Sequence, residues 1–182
     1  MNAHQYNTIV KKYAKLLAGE NITVKFENNT QPNFNVKTRT LTIPYFDIKC
    51  DSDIAINKMF IAHEVGHALF TSSQIVEDQN KRINPIFKYV NILEDVRIER
   101  KMKKMFKGLS SQFFDGYKHF TQEFSASTIA RVNGESLINR INSFYKFGEF
   151  IDVKFSDAEL DVLREANETE TLYDVINLAE KI

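Results

Sequence analysis

The sequence contains a single cysteine, Cys50, among its 182 residues. One cysteine excludes an intrachain disulfide and any zinc site built from several thiolates. No run of about 18 apolar residues occurs, so no membrane-spanning helix is predicted. Lys and Arg together number 24, as do Asp and Glu, so the formal net charge is zero. A strongly basic nucleic-acid-binding protein is therefore not indicated, and we expect neither a nucleic acid nor a membrane as partner.

The N-terminal residues are polar and lack the apolar stretch of a signal peptide, which predicts a cytoplasmic protein. Tryptophan is absent, but 15 Phe and 7 Tyr are present. The hydrophobic share of 43% is that of a globular protein, which excludes intrinsic disorder and predicts a Phe-rich core. The length favours one domain covering residues 1–182.

In the first third of the chain, the spacing of apolar residues changes from a helical period to strict alternation. Residues 4–18 have the apolar spacing of an amphipathic helix that ends at Gly19. Apolar residues then alternate with polar ones in three short stretches, Ile22–Phe26, Phe34–Val36 and Leu41–Ile43. Such alternation predicts strands, and the short turns between them (28–32 and 37–40) predict an antiparallel meander.

From residue 53 the pattern is helical almost to the end, and Asp51 or Ser52 can cap the first of these helices. We expect helices over about 51–71, 85–107, 127–147, 157–166 and 170–181, while the aromatic-rich residues 109–124 are ambiguous. Asn84 followed by Pro85 is typical of a helix start, and Gly108 stands where a glycine typically ends a helix. The sequence therefore predicts a mostly helical α+β fold with three parts: a helix and small sheet (1–50), a central helical pair (51–108) and a helical C-terminal part (109–182).

One motif carries most of the chemical information. His63-Glu64-Val65-Gly66-His67 lies inside a predicted helix with apolar flanks. Four residues advance a helix by about 400°, so both imidazoles point the same way and can reach one Zn²⁺. Glu64 projects beside them and suits a general base that takes a proton from a water activated by the metal. We therefore expect one Zn²⁺ per chain. The alternative is an ordinary helix with two surface histidines, which the apolar flanks disfavour.

A catalytic zinc site needs a third protein ligand, and several residues are candidates. Cys50 precedes the motif and His119 lies in the ambiguous segment, so both are weak. The predicted helix over 85–107 is a better source, because three acids and an arginine are embedded among its apolar residues. Glu94 is the preferred ligand and Asp95 the alternative. Asp95, Arg97 and Glu99 are candidates to orient the metal ligands by hydrogen bonds to them. These charges could instead form ion pairs on a solvated helix surface.

The motif at 63–71, followed by Asn-Ile-Leu-Glu-Asp-Val-Arg-Ile-Glu-Arg at 91–100, resembles the zincin metallopeptidases encoded by tailed bacteriophages and some bacteria. Longer members of this group carry a von Willebrand A-like domain. The resemblance implies a zincin-like fold, an acidic third ligand and, for a phage protein, location in the host cytosol. Better-studied relatives have a Glu followed four residues later by an Asp. Here Glu94 is followed at that distance by Ile98, and Asp95 by Glu99, so the resemblance leaves both acids open as ligands.

The resemblance also implies roles around the metal. In zincins an edge strand beside the active-site helix pairs with an extended substrate, and residues 40–43 are the natural candidate. The alternative is that this strand simply packs against the helix. Peptide hydrolysis further needs a group that stabilises the negative oxygen of the tetrahedral state. Tyr117 and His119 are candidates, although an aromatic core segment is the more ordinary interpretation of their surroundings.

These observations favour a zinc-dependent peptidase of the gluzincin type acting on a peptide or protein substrate, with His63, His67 and Glu94 on the metal and Glu64 as base. The alternative is a binding module that keeps the fold without catalysis, such as a phage protein acting on a host factor or the front of a larger assembly. The presence of Glu64 favours the enzyme, because a purely structural zinc site needs no such carboxylate.

Overall fold

The architecture is described by a computed structural model, which covers residues 3–28, 31–45, 48, 50–122 and 124–182. The fold is α+β and mostly helical, as the sequence predicted. The elements run in the order α1 (Ala3–Ala18), β1 (Thr23–Glu27), β2 (Asn33–Asn35), β3 (Thr40–Pro44), α2 (Asp51–Phe70), α3 (Ser73–Asp78), α4 (Asn80–Ile83), a 3-10 turn (Asn84–Ile86), α5 (Phe87–Met105), α6 (Leu109–Thr121), α7 (Ala126–Val132), α8 (Leu137–Phe147), α9 (Asp157–Glu168) and α10 (Leu172–Ala179).

The three strands form where they were expected, but the predicted meander is wrong. The strand order is β1-β3-β2, with β3 parallel to β1 and antiparallel to β2. Leu41 and Ile43 of β3 are fully buried, whereas β1 and β2 alternate between half-buried and exposed positions. The most apolar strand thus takes the centre of the sheet. Of the two predicted turns, 37–40 joins β2 to β3, and 28–32 includes residues outside the described part.

This topology corrects the expected substrate-pairing strand. The backbone of β3 pairs on both sides, with β1 and with β2, so it has no free edge for an incoming peptide. β2 lies at the edge of the sheet and contacts α2. If a peptide adds to this sheet beside α2, the available strand is β2.

Several helix boundaries differ from the prediction. Cys50 is the N-cap of α2, and its N–H donates to the Asp53 carboxylate at 2.9 Å, so the predicted caps Asp51 and Ser52 already lie inside the helix. Residues 109–121 are helical, and Gly108 begins α6 instead of closing α5, whose C-cap is Phe106. The region 127–147 is two helices, α7 and α8, separated by residues 133–136.

Two apolar clusters meet between α2 and α5. The first joins α1, β3, α2 and α6 around residues such as Leu41, Met59 and Phe113. The second joins α5, α8, α9 and α10 around residues such as Leu93 and Ile176. The polar residues of interest lie where α2 and α5 pack together. None of the described helices is long and apolar enough to cross a membrane.

Two glycines allow the close approach of helices around α2. A Cβ at Gly66 would lie 3.1 Å from Met102 of α5. A Cβ at Gly116 of α6 would lie 2.5 Å from the Cβ of Met59 on α2, which no real side chain tolerates. The absence of a side chain at these positions lets α5 and α6 flank the helix that carries the HExxH motif.

Candidate metal centre

The two histidines of the motif lie one helical turn apart on α2. Their ring centroids are 5.2 Å apart, and the rings stand at 76° to each other. Both side chains are largely shielded, with 13% of His63 and 16% of His67 exposed. The i,i+4 spacing on a helix thus brings both imidazoles to one place, as the sequence suggested.

Asp95 of α5 faces both imidazoles. Its Oδ1 lies 3.4 Å from Nε2 of His63 and 3.3 Å from Nε2 of His67. One donor atom from each of the three residues lies within 4.8 Å of the others, a grouping able to hold a metal ion. Oδ1 of Asp95 is buried and has no hydrogen-bond partner among the described residues. A buried carboxylate oxygen in this state is costly unless a cation satisfies it.

The spacing of these atoms suits zinc. Tetrahedral coordination with bonds of about 2.0–2.1 Å places neighbouring ligand atoms about 3.3–3.4 Å apart. Both nitrogen–oxygen separations at Asp95 have this length. Two imidazoles and one carboxylate are also the ligand types of a catalytic site that leaves one position for water.

Hydrogen bonds behind the imidazoles fix which nitrogen faces the centre. Nδ1 of His63 lies 2.9 Å from Oε1 of Glu99, which can only accept when ionised. Nδ1 of His67 lies 3.0 Å from Oγ1 of Thr71, whose own proton goes to Oε1 of Glu94 at 2.6 Å. The Nδ1 atom of each imidazole is therefore engaged by its supporting residue, which leaves both Nε2 atoms facing Oδ1 of Asp95 as the atoms that would bind a metal ion once they carry no proton.

Glu94, the preferred ligand from the sequence, is engaged elsewhere. Its two oxygens accept hydrogen bonds from Nε and Nη2 of Arg97 at 2.8 and 2.6 Å. Arg97 is itself held by the carbonyl oxygens of Phe70 and Glu170. Both side chains are almost fully buried. The structure therefore favours the alternative, Asp95, as the acidic ligand, because Glu94 supports His67 through Thr71 and compensates the charge of Arg97.

Of the remaining candidates from the sequence, Tyr117 contacts a residue that supports the centre, whereas His119 and Cys50 lie away from it. The hydroxyl of Tyr117 donates to Oε1 of Glu99 at 2.5 Å, so this residue steadies the partner of His63 and its proton is not free for an oxyanion. His119 lies on α6 with Nδ1 3.3 Å from Oε1 of Gln122, and the cavities beside the two motif histidines are lined by other residues. Cys50 is exposed at the start of α2. The structure brings neither His119 nor Cys50 to the centre.

Sequence reasoning missed Lys146 and Thr71. Nζ of Lys146, on α8, lies 3.0 Å from Oδ2 of Asp95, the oxygen turned away from the histidines. This contact joins residues 51 positions apart, and no local pattern marks it. Thr71 directly follows α2 and was visible as the last residue of the motif region, four positions after His67.

The charges around the centre favour a cation there. Burial alone would lower the pKa of His63, but the charge of Asp95 and the hydrogen bond to Glu99 raise it to about 10. Burial acts to raise the pKa of Asp95, yet the charges of His63 and Lys146 hold it well below its usual range. The carboxylates thus stabilise positive charge beside the two imidazoles, as a metal site requires.

Glu64 lies beside this centre without joining it. Its side chain is buried, and burial raises its pKa above the usual value even though His63 and His67 oppose the shift. Glu64 and His63 line two cavities, of 330 and 540 Å³, that flank α2. A carboxylate with a raised pKa at the meeting point of two cavities is placed to exchange protons with a bound reactant.

No protein-family model, curated protein or solved structure matches this chain.

Proposed function

We propose that the protein is a zinc-dependent peptidase in which His63, His67 and Asp95 hold the metal and Glu64 is the general base. The observation that carries the proposal is the convergence of both Nε2 atoms on Oδ1 of Asp95, at distances of 3.4 and 3.3 Å. The resemblance of residues 63–71 and 91–100 to phage and bacterial zincins supports a metal held by the two histidines and an acid of α5, without choosing between Glu94 and Asp95.

When bound, zinc would lower the pKa of a coordinated water and polarise the carbonyl of the scissile bond. Glu64 accepts the proton of the attacking water and passes it to the nitrogen of the leaving amine. Its raised pKa favours the first of these transfers, because a more basic carboxylate accepts the proton of water more readily than an ordinary surface carboxylate does. Glu99 and Thr71 hold the imidazoles so that the ligand set keeps its shape during the reaction.

Glu64 also discriminates between the proposed enzyme and a binding module with the same fold. A purely structural metal site would need only the three converging residues and would not need Glu64. A buried carboxylate beside them, with a raised pKa and access to two cavities, serves hydrolysis.

The test is Glu64→Gln, which keeps the side-chain shape but removes the base. On a broad peptide library we expect its cleavage rate to fall by about 10²–10⁴-fold, with zinc content unchanged. Glu168→Gln, at an exposed position of α9, is the matched control and should cleave at the wild-type rate. Equal cleavage by wild type and Glu64→Gln would exclude Glu64 as base. A zinc-loaded wild type that cleaves no peptide would contradict the proposed activity.

A further inference from the structure

A cavity of 540 Å³ opens beside His63 and Glu64, and we call it the aromatic cavity. Its apolar lining comes from α2, α6, α8 and the segment after α6, namely Met59, Phe60, Tyr117, Phe120, Phe124 and Phe147. Its volume lies within the range of about 300–1,000 Å³ typical of ligand-binding pockets.

The aromatic rings of this cavity pack on one another around Phe147. Phe120 stacks on Phe147 at 6.0 Å, and Phe124 meets the same ring edge to face at 5.0 Å. Phe60 contacts Phe120 at 6.2 Å, again edge to face. All four phenylalanines are only half-buried, so the cluster keeps exposed apolar surface. This surface suits an apolar group that completes the packing.

The position of the aromatic cavity relates it to the proposed reaction. His63 and Glu64 belong to its wall and also to the wall of the 330 Å³ cavity on the other side, which includes His67, Asp95 and Phe34 of β2. A polypeptide held across the metal centre would therefore lie beside the aromatic cavity, and a side chain next to the bond facing Glu64 could enter it.

The charged groups in the wall of the aromatic cavity limit which substrate side chains can enter it. The wall of the aromatic cavity contains one charged group of each sign, Glu64 and Lys146, and Lys146 is already paired with Asp95 at 3.0 Å, so the described part of the wall offers no free partner to a charged side chain of either sign. Glu64, Asn142 and Gln31 complete the polar part of the lining. A charged group placed among the phenylalanines would lose hydration without gaining a partner from them.

We infer that the aromatic cavity is a specificity pocket that selects polypeptides with a bulky apolar side chain, aromatic or long aliphatic, next to the scissile bond. This inference rests on the proposed function, because it takes the metal centre as the place where the peptide is held. It assigns Phe120, Phe124 and Phe147 to substrate selection and leaves the chemistry to Glu64 and the metal ligands.

The experiment measures affinity and does not depend on turnover. Zinc-loaded protein is titrated with dipeptide hydroxamates that share the metal-binding group and differ in one side chain: Phe, Leu, Ala or Asp. We expect the Phe and Leu compounds to bind at least tenfold more tightly than the Ala compound, with the Asp compound weakest. Phe120→Ala should reduce the ratio of Phe to Ala affinities at least threefold. Phe114→Ala, on the same helix but packed on Phe150 outside the cavity, should leave the ratio unchanged.

Each outcome separates this inference from the proposed activity. Equal affinity of the Phe and Ala compounds for wild-type protein would overturn the specificity pocket, even if peptides are cleaved and whether or not Phe120→Ala folds. A preference for Phe that persists unchanged in Phe120→Ala would also overturn it. A preference for Phe in a protein that cleaves no peptide would support the pocket and contradict the peptidase. No binding of any hydroxamate would overturn both.

Discussion

Glu94 and Asp95 are neighbours in the sequence but point to different parts of the molecule. One residue rotates a helix by about 100°, so Asp95 faces α2 while Glu94 faces Arg97 and Thr71. The sequence could show that this helix supplies the acid, because four charged residues stand among apolar ones. It could not show how α5 is rotated against α2, which depends on packing. One local signal did point to Asp95: the acid four residues later, Glu99, lies on the same face and bonds to His63.

The two acids give a direct test of the ligand assignment. Asp95→Asn replaces a charged ligand oxygen by a neutral amide. We expect zinc affinity to fall by more than the about 10–100-fold that is typical when a residue hydrogen-bonded to a metal ligand is mutated. Glu94→Gln keeps one oxygen that accepts from Thr71 and Nη2 of Arg97 but turns its NH2 group toward Nε of Arg97, and we expect the loss of zinc affinity to stay within that range. Affinity is measured by competition with a chelator, with circular dichroism as the folding control. A larger loss for Glu94→Gln would restore Glu94 as the ligand.

Thr71 offers a second test at the same scale. Its hydroxyl accepts from His67 and donates to Glu94, so it sets the nitrogen that His67 presents. Thr71→Val keeps the shape but removes both hydrogen bonds, and we expect zinc affinity to fall by about 10–100-fold. Thr71→Ser keeps the hydroxyl and should bind zinc within about threefold of wild type. Equal affinity in Thr71→Val and Thr71→Ser would remove Thr71 from the support of the centre.

At the scale of elements, the sequence predicted strands and helices better than their arrangement. Alternation identified β1, β2 and β3, because each strand has one face toward the core. Alternation contains no information on which strands pair, and the parallel pairing of β1 with β3 depends on how the chain crosses the sheet. The break between α7 and α8 could be suspected at Asn133-Gly134, where helix-weakening residues adjoin.

The crossing of α2 and α6 gives a prediction for stability. Gly116→Ala would place a Cβ 2.5 Å from the Cβ of Met59, so the helices must separate. We expect the free energy of unfolding to fall by about 1–3 kcal/mol, the usual cost of overpacking a core. Gly108→Ala, where an added Cβ meets nothing within 4 Å, is the control and should change stability by about 0.5 kcal/mol or less. Urea denaturation checks both, and similar losses in the two variants would contradict the packing argument.

At the scale of the whole molecule, the centre lies between two apolar clusters. α2 belongs to the first and brings His63, Glu64 and His67, while α5 belongs to the second and brings Asp95 and Glu99. The C-terminal helices add Lys146 beside Asp95 and the Phe147 wall of the aromatic cavity. Contacts over such sequence distances cannot be read from local patterns. The HExxH motif was predictable because both histidines lie on one helix.

The central claim is that His63, His67 and Asp95 form one zinc site, and zinc stoichiometry tests it most directly. Protein purified without chelator is dialysed and analysed for metal, with Glu64→Gln as the matched variant that keeps all three ligands. We expect one zinc per chain in wild type and in Glu64→Gln. We expect none in His63→Ala/His67→Ala, while circular dichroism shows the fold retained. One zinc per chain in the double variant, or none in the folded wild type after zinc is supplied, would contradict the account.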